Sequence, residues 1–323
     1  FCRLVPQLVV RVESEREVQL VLHSCARRGL PVTFRAAGTS LSGQAVTDSV
    51  LIQLGNGWNG HQLLDEGAAI RLQPGVIGAR ANSILAPLQR KIGPDPASIN
   101  ACMIGGIAAN NASGMCCGTA ENSYNTLLDL RLIFADGTLL DTADATSVAS
   151  FRESHAELLE QLRQLGEQTR ANQPLAERIR HKYRLKNTTG YGINALVDFE
   201  DPLEILKHLM IGSEGTLGFI SAITYRTVPD YPDKAAALIY FPDIHTACTA
   251  TTLLKETPVS AVELLDRASL RSVQHMPGMP DDLAELPEGT TALLVDVRGA
   301  DDDQLEQNIQ IICQTLTDIP VLS

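Results

Sequence analysis

The chain has 323 residues, of which 44% are hydrophobic and 20% charged, a balance that suits an ordinary globular protein with room for two domains. A net charge of −12 and a pI near 5.0, with no basic stretch, exclude a nucleic-acid partner, because nothing offsets phosphate repulsion. No apolar run reaches the length of a membrane span, and seven cysteines without a Cys-x-x-Cys spacing exclude a zinc or iron–sulfur framework and favour a reduced, cytoplasmic setting over a disulfide scaffold.

The first elements read as strand, helix, strand. Phe1 is followed directly by strand-like Leu8–Val12, so no signal peptide is read and the chain resembles a piece cut from a longer protein. Ser14 and Glu17 form a capping box ahead of Val18, Val21, Leu22 and Cys25 at helical spacing, and Gly29 with Pro31 ends that helix. Pro31–Phe34 returns as a strand that delivers Arg35-Ala36-Ala37-Gly38-Thr39-Ser40-Leu41-Ser42-Gly43-Gln44. Small residues there let successive N–H groups converge into an anion-binding nest. No Gly-Lys-Ser/Thr closes the run, so it is not a Walker loop.

Strand Val50–Leu54 leads to Gly55-Asn56-Gly57-Trp58-Asn59-Gly60, a literal Gly-x-Gly-x-x-Gly. A nicotinamide site requires a helix to open there. The next residues instead carry a turn signal, Asp65-Glu66-Gly67, and strand-like Ala69–Leu72, so residues 55–60 are read as a strand-to-strand connection. Ala79–Leu88 reads as helix. The glycine-rich stretch 93–118 lacks periodicity and reads as a long functional loop, with Cys116-Cys117 as two small residues in a tight turn and a redox role as the alternative. Leu127–Phe134 and Thr138–Asp141 form a hairpin about Asp136-Gly137. Helices are expected near 154–167 and at 201–210, the latter opened by Asp201-Pro202. Strand Ile220–Val228 ends at Pro229 and Pro232, a domain boundary. The rhythm then restarts with strands Ala235–Phe241, Ala261–Leu265 and Thr291–Val297 and helices Ile244–Glu256, Arg267–Gln274 and Gln304–Leu316, an α+β pattern.

The Arg35–Gln44 run resembles the pyrophosphate loop of vanillyl-alcohol-oxidase-type FAD enzymes, with Ala36 and Ala37 in place of two glycines. Gly93-Pro94-Asp95-Pro96-Ala97-Ser98, Ile104-Gly105-Gly106-Ile107-Ala108-Ala109-Asn110-Asn111-Ala112-Ser113-Gly114 and Gly212-Ser213-Glu214-Gly215-Thr216-Leu217-Gly218-Phe219-Ile220 are similar to segments that occur in that family in the same order. Lys186-Asn187-Thr188-Thr189-Gly190-Tyr191 resembles the substrate-side loop of its D-2-hydroxyacid branch, the D-lactate, glycolate and D-2-hydroxyglutarate dehydrogenases. The resemblance implies an α+β fold: a two-lobed PCMH-type FAD-binding domain over 1–228, then part of a ferredoxin-like, antiparallel-sheet substrate or cap domain over 229–323. The family's His-Gly-Asp-Gly-Asn-x-His motif does not occur, so the cap is expected to be truncated. Any metal ion or iron–sulfur cluster is assigned to the missing part and none to this chain.

The resemblance also supplies site residues. Cofactor contacts are expected from Arg35, Gly38, Thr39, Ser40, Leu41, Ser42, Gly43 and Gln44 at the pyrophosphate. Further contacts are expected from Pro94, Asp95, Ala97 and Ser98; from Gly105, Gly106, Asn110, Asn111, Ser113 and Gly114; and from Glu214, Gly218 and Ile220. Asn110 and Asn111 either meet the flavin or cap a short helix. Glu214 is either a flavin-side acceptor or a buried structural acid. Lys186 is the expected anchor for a substrate carboxylate, with Arg184 beside it and Thr189 and Tyr191 adding hydroxyls, whereas Arg178, Arg180 and Lys182 read as a solvated helix end. No histidines pair at metal-ligand spacing. His23 reads as surface, His275 is the one weak candidate for a base, and the base is expected beyond residue 323.

The expected activity is oxidation of a small anionic D-2-hydroxyacid by hydride transfer to a non-covalent FAD. The fragment alone is expected to be weakly active or inactive. The electron acceptor is an iron–sulfur domain, a quinone or an electron-transfer flavoprotein, and the location is cytoplasmic or peripheral to the inner face of the membrane. The alternatives are a redox-neutral FAD transferase of the alkyl-dihydroxyacetone-phosphate synthase type and a non-catalytic flavin-carrying subunit.

Overall fold

A computed structural model describes residues 3–322; Phe1, Cys2 and Ser323, and with them the reading of the chain's first residue, lie outside the described residues. The chain divides into two compact units, Phe1–Pro229 and Asp230–Ser323.

The first unit opens with β1 (Leu8–Val12), α1 (Glu15–Ala26), β2 (Val32–Arg35) and β3 (Val50–Leu54). The three strands form a parallel sheet in the order β1-β3-β2, with Val32 opposite Val50 and Arg35 opposite Gln53. The chain therefore leaves β2 and β3 at the same end of the sheet. Ser14 Oγ caps α1 by accepting from Glu17 N, while the Glu17 carboxylate reaches back to Glu13 N, one residue earlier than the reciprocal box requires. Val12, Val18, Leu22 and Ile52 bury between sheet and helix with Trp58 and Phe219, each large side chain contributing about 1.5–3 kcal/mol by leaving water.

A second, antiparallel sheet holds β4 (His61–Leu64), β5 (Ala69–Leu72), β6 (Arg90–Ile92), β7 (Leu127–Ile133), β8 (Leu139–Asp141) and β9 (Phe219–Pro229), in the order β4-β5-β9-β7-β8 with β6 also paired to β9. The central strand β9 is buried from Phe219 to Tyr225. Eight further helices belong to this unit: α2 (Gly78–Leu85), α3 (Ile104–Asn110), α4 (Ser123–Thr126), α5 (Ala145–Ser154), α6 (Ala156–Ala171), α7 (Gln173–Lys182), α8 (Ala195–Asp198) and α9 (Pro202–Leu209).

The helices differ from the periodicity reading in two places. Residues 145–182 form three helices rather than one, broken at His155 and at Asn172, whose side chain caps α7 ahead of Pro174. The glycine-rich stretch contains a true helix, α3, because Ile104, Ile107 and Ala108 bury at helical spacing. Strands β4 and β6 are too short to show an alternation.

Arg131 of β7 ties the second sheet to α1. Its guanidinium donates to both oxygens of Glu15 on α1, at 2.7 and 2.9 Å, and to Asp141, which also pairs with Arg71 at 2.7 Å. Burial pushes the Glu15 carboxyl up, but hydrogen bonds from Arg131 and Ser221 outweigh it and hold the group below its ordinary value.

The second unit is an antiparallel sheet of β10 (Asp233–Phe241), β11 (Val259–Leu265) and β12 (Thr291–Gly299), in the order β10-β12-β11, with α10 (Ile244–Leu254), α11 (Arg267–Val273) and α12 (Asp302–Thr315) between the strands and after them. Asp243, Asp266 and Asp301 cap the three helices through side-chain oxygens. Phe241, Leu293, Val295 and Val297 pack with α10 and α12, while Tyr240 and Ala292 pack with Leu270 and Leu283.

Candidate functional site

The residue run delivered by β2 does not pair with another strand. It bends through Gly38 (φ +70°) and Gly43 (φ +85°), values that an L side chain rarely adopts. A Cβ on Gly38 would lie 2.6 Å from Arg35 Nε, so the Arg35 guanidinium is folded over the loop. Arg35, Ala36, Ala37, Gly38, Thr39, Ser40, Leu41, Ser42 and Gln44 all line a cavity of about 770 Å³, within the ~300–1,000 Å³ range of small-molecule and cofactor sites.

Four other segments contribute to the wall, one of them the Lys186–Gly190 loop. Ala97 and Ser98 lie on one, and Gly105, Gly106, Asn110 and Ser113 come from α3 and its exit. Ser213, Glu214 and Gly218 come from the approach to β9 and Ile220 from β9 itself. A Cβ on Gly105 would strike Pro74 at 2.7 Å, so that glycine is required by the protein's own packing. A Cβ on Gly106 would meet nothing closer than Ala36 at 3.8 Å, so that glycine leaves open space on the cavity wall.

The two asparagines of α3 separate cleanly. Asn111 adopts the left-handed C-cap and its Oδ1 accepts from Tyr124 N at 3.1 Å, outside the cavity lining. Asn110 lines the cavity and donates to Glu214 Oε1 at 2.6 Å. Glu214 also accepts from Gln44 Nε2 at 3.3 Å. Lys186 lines the cavity with Thr188, Thr189 and Gly190, and its ammonium donates to the Ser113 carbonyl. Arg35 and Lys186 are the two cations in the described lining and Glu214 the one carboxylate.

Several expected contacts lie elsewhere. Asp95 Oδ1 accepts from Gly114 N at 2.9 Å and Cys117 N at 3.3 Å, holding the loop behind the wall, and neither Asp95, Gly114 nor Pro94 lines the cavity. Gly43 is outside it too and serves the turn, its carbonyl accepting from Val46 N at 3.2 Å. Tyr191 pairs its hydroxyl with Thr216 Oγ1 at 2.8 Å and is not in the lining. His23 is exposed on α1, and His275 is exposed in the second unit and absent from the lining. Cys117 is buried, and burial pushes its thiol up to about 12, the wrong direction for a reactive thiolate. Phe34, Pro74, Cys102, Met103 and Phe219 line the cavity without having been singled out. Phe34 and Phe219 carried a signal, since each directly adjoins a small-residue segment at a strand end.

The Gly55–Gly60 turn is filled by the protein itself. Gly57 N donates to Glu13 Oε2 at 2.5 Å, Gly60 N to Gln73 Oε1 at 2.7 Å, and Trp58 is buried with its indole N–H on Val12 O at 3.0 Å. The turn runs into β4, not into a helix.

Residues 6–143 match the FAD binding domain, and residues 232–323 match the C-terminal domain of FAD linked oxidases. The chain belongs to the FAD-linked oxidases. FAD is their cofactor. Among relatives of this FAD-linked oxidase chain, a glycolate oxidase subunit of Escherichia coli is 25% identical over 323 residues, covering 98% of this chain and 52% of that one. A D-2-hydroxyglutarate dehydrogenase of Pantoea ananatis is 24% identical over 334 residues, with 97% and 32% covered. A mitochondrial D-lactate dehydrogenase of Arabidopsis thaliana is 24% identical over 287 residues, with 88% and 41% covered. The chain thus spans about a third to a half of these relatives. A solved alkyldihydroxyacetonephosphate synthase superposes with a TM-score of 0.65 at 13% identity, over 97% of this chain and 52% of that one, which establishes the shared fold. No helix among the described residues is long and apolar enough to cross a membrane.

The cavity fits this cofactor. FAD brings two phosphate charges, and the lining offers a turn of small residues, two cations and a single acid. Ser113 Oγ is buried and has no hydrogen-bond partner in the protein, a cost that a bound polar group would remove.

Proposed function

We propose that this chain holds FAD non-covalently in the cavity of the first unit and is the flavin-binding part of a dehydrogenase that oxidises a small anionic 2-hydroxyacid. The observation that carries the reading is the cavity built from four sequence-distant segments around the Gly38–Gly43 turn, with Arg35 and Lys186 in its wall. FAD, when bound, supplies the hydride acceptor. Arg35 and the loop amides neutralise the pyrophosphate, aided by the hydroxyls of Thr39, Ser40 and Ser42. The open wall at Gly106, with Asn110 and Ser113, meets the flavin side. Lys186 anchors the substrate carboxylate, and the Thr189 hydroxyl assists it. The second unit belongs to the substrate side, and residues 1–228 and 229–323 act as separate domains. Electrons pass onward to an acceptor outside this chain.

The three relatives support the hydroxyacid class, and each is named for a different member of it. The test is anaerobic addition of glycolate, D-lactate and D-2-hydroxyglutarate to the flavin-loaded full-length protein. Bleaching of the flavin absorbance by one of them is the expected result. A protein that binds flavin but is bleached by none of them contradicts the dehydrogenase reading and favours a redox-neutral or carrier role.

A further inference from the structure

Nine consecutive residues, Ala37–Ala45, form the anion loop, and their hydrogen bonds are few. Ser40 Oγ donates to Gln44 Oε1 within the loop, and Gly43 O accepts from Val46 N just beyond it. Among the described residues, the one hydrogen bond from this loop to a distant part of the chain is Gln44 Nε2 to Glu214 Oε1, across 170 positions of sequence. Thr39 to Ser42 are exposed, and Leu41 at the tip is 85% exposed, so packing does not hold the loop either.

The acceptor end of that bond is rigid. Glu214 N donates to Ala109 O at 2.8 Å and Gly212 N to Ala108 O at 3.0 Å, which pins the segment to the end of α3. The same carboxylate oxygen takes the Asn110 amide at 2.6 Å. Glu214 sits at φ +54°, a conformation that side chains other than glycine avoid and that persists only where neighbours enforce it. A strained backbone thus holds one carboxylate where it meets α3 and the loop together.

We infer that Gln44 and Glu214 form a latch that pre-organises the anion loop for its ligand. This rests on the reading of the loop as the FAD pyrophosphate site. Glu214 acts as a positioning residue: it holds Gln44, Gln44 holds Ser40, and the amides of the turn are aimed before the ligand arrives. A loop without the latch must be ordered at the moment of binding, and that ordering subtracts from affinity.

The experiment is a double-mutant cycle in the full-length protein with Gln44→Ala, Glu214→Ala and the pair, with Glu214→Gln as the conservative variant. FAD affinity is read by fluorescence titration of the apoprotein. Elastase cleavage within residues 36–45 is read on the apoprotein without flavin. Each alanine variant is expected to weaken FAD by about tenfold and to speed loop cleavage, at unchanged thermal midpoint. The double variant should be no worse than the weaker single variant, because either change opens the same latch. Glu214→Gln keeps an acceptor for Gln44 and should restore slow cleavage and affinity to within about threefold of the parent.

Losses that multiply in the double variant would show two independent ligand contacts and overturn the latch. So would an unchanged cleavage rate in Gln44→Ala. A parent protein that binds no FAD overturns the cofactor reading instead, and the flavin-free cleavage assay still decides the latch.

Discussion

Two glycine-bearing turns leave the same end of one parallel sheet, and they have opposite fates. The turn after β3 carries the more familiar pattern, Gly55-x-Gly57-x-x-Gly60, yet the amides of Gly57 and Gly60 are already taken by Glu13 and Gln73 and its centre is plugged by Trp58. The turn after β2 matches neither the Walker nor the Gly-x-Gly-x-x-Gly pattern, yet it opens into a cavity of about 770 Å³. Gly57 is required by the protein's own packing, since a Cβ there would lie 2.5 Å from the backbone oxygen of Glu13. A glycine pattern marks close approach of something to the backbone. Whether that something is a ligand or the protein itself depends on the next element and on which side chains lie within reach.

The comparison breaks most sharply at Gly38. Gly38→Leu puts a branched side chain at φ +70° against Arg35, and flavin absorbance per mole of purified protein should fall to background. Next comes Lys186→Ala, which should raise the hydroxyacid KM by about ten- to a hundredfold, the worth of a charge-assisted hydrogen bond, while flavin content stays full. Gly57→Ala in the filled turn should do the reverse. It should lower stability by about 1–3 kcal/mol in a denaturant melt, through overpacking, and leave flavin stoichiometry unchanged.

A smaller effect concerns the frame that carries both turns. Glu15 has a carboxyl pKa below its ordinary value, so its pairing with Arg131 contributes fully above the unfolded-state value of about 4.5 and is lost as pH falls through the lower folded-state value. Glu15→Gln should therefore flatten the acid limb of the stability–pH curve and leave the neutral-to-alkaline limb parallel to the parent. The smallest effect is at the filled turn itself: titration with NADH should give no saturable signal below about millimolar, the level of weak contacts.

Much of this was legible because the chemistry is local. The anion loop, the Gly212–Ile220 run and the Lys186 loop each read from a few adjacent residues, and all three reach the cavity wall. The absence of a helix after Gly60 could be read from the turn at 65–67 and the apolar residues after it. Other features depended on contacts between distant segments. Asn110 and Asn111 are neighbours with the same side chain, and only the C-cap geometry separates the cavity residue from the structural one. Asp95 sits in a motif that resembles a cofactor turn, but its carboxylate is taken up by Gly114 and Cys117. Short strands such as β6 are set by pairing with β9, which no local pattern encodes.

The most direct measurement is a hydrogen-exchange footprint of FAD on the apo full-length protein, read at peptides covering both turns. FAD should slow exchange over 35–44, 104–113 and 213–220 and leave 55–60 unchanged, since that turn is outside the cavity lining and is filled by Glu13, Gln73 and Trp58. Protection at 55–60 without protection at 35–44 would contradict the assignment, because the cofactor would then occupy the turn the protein has filled.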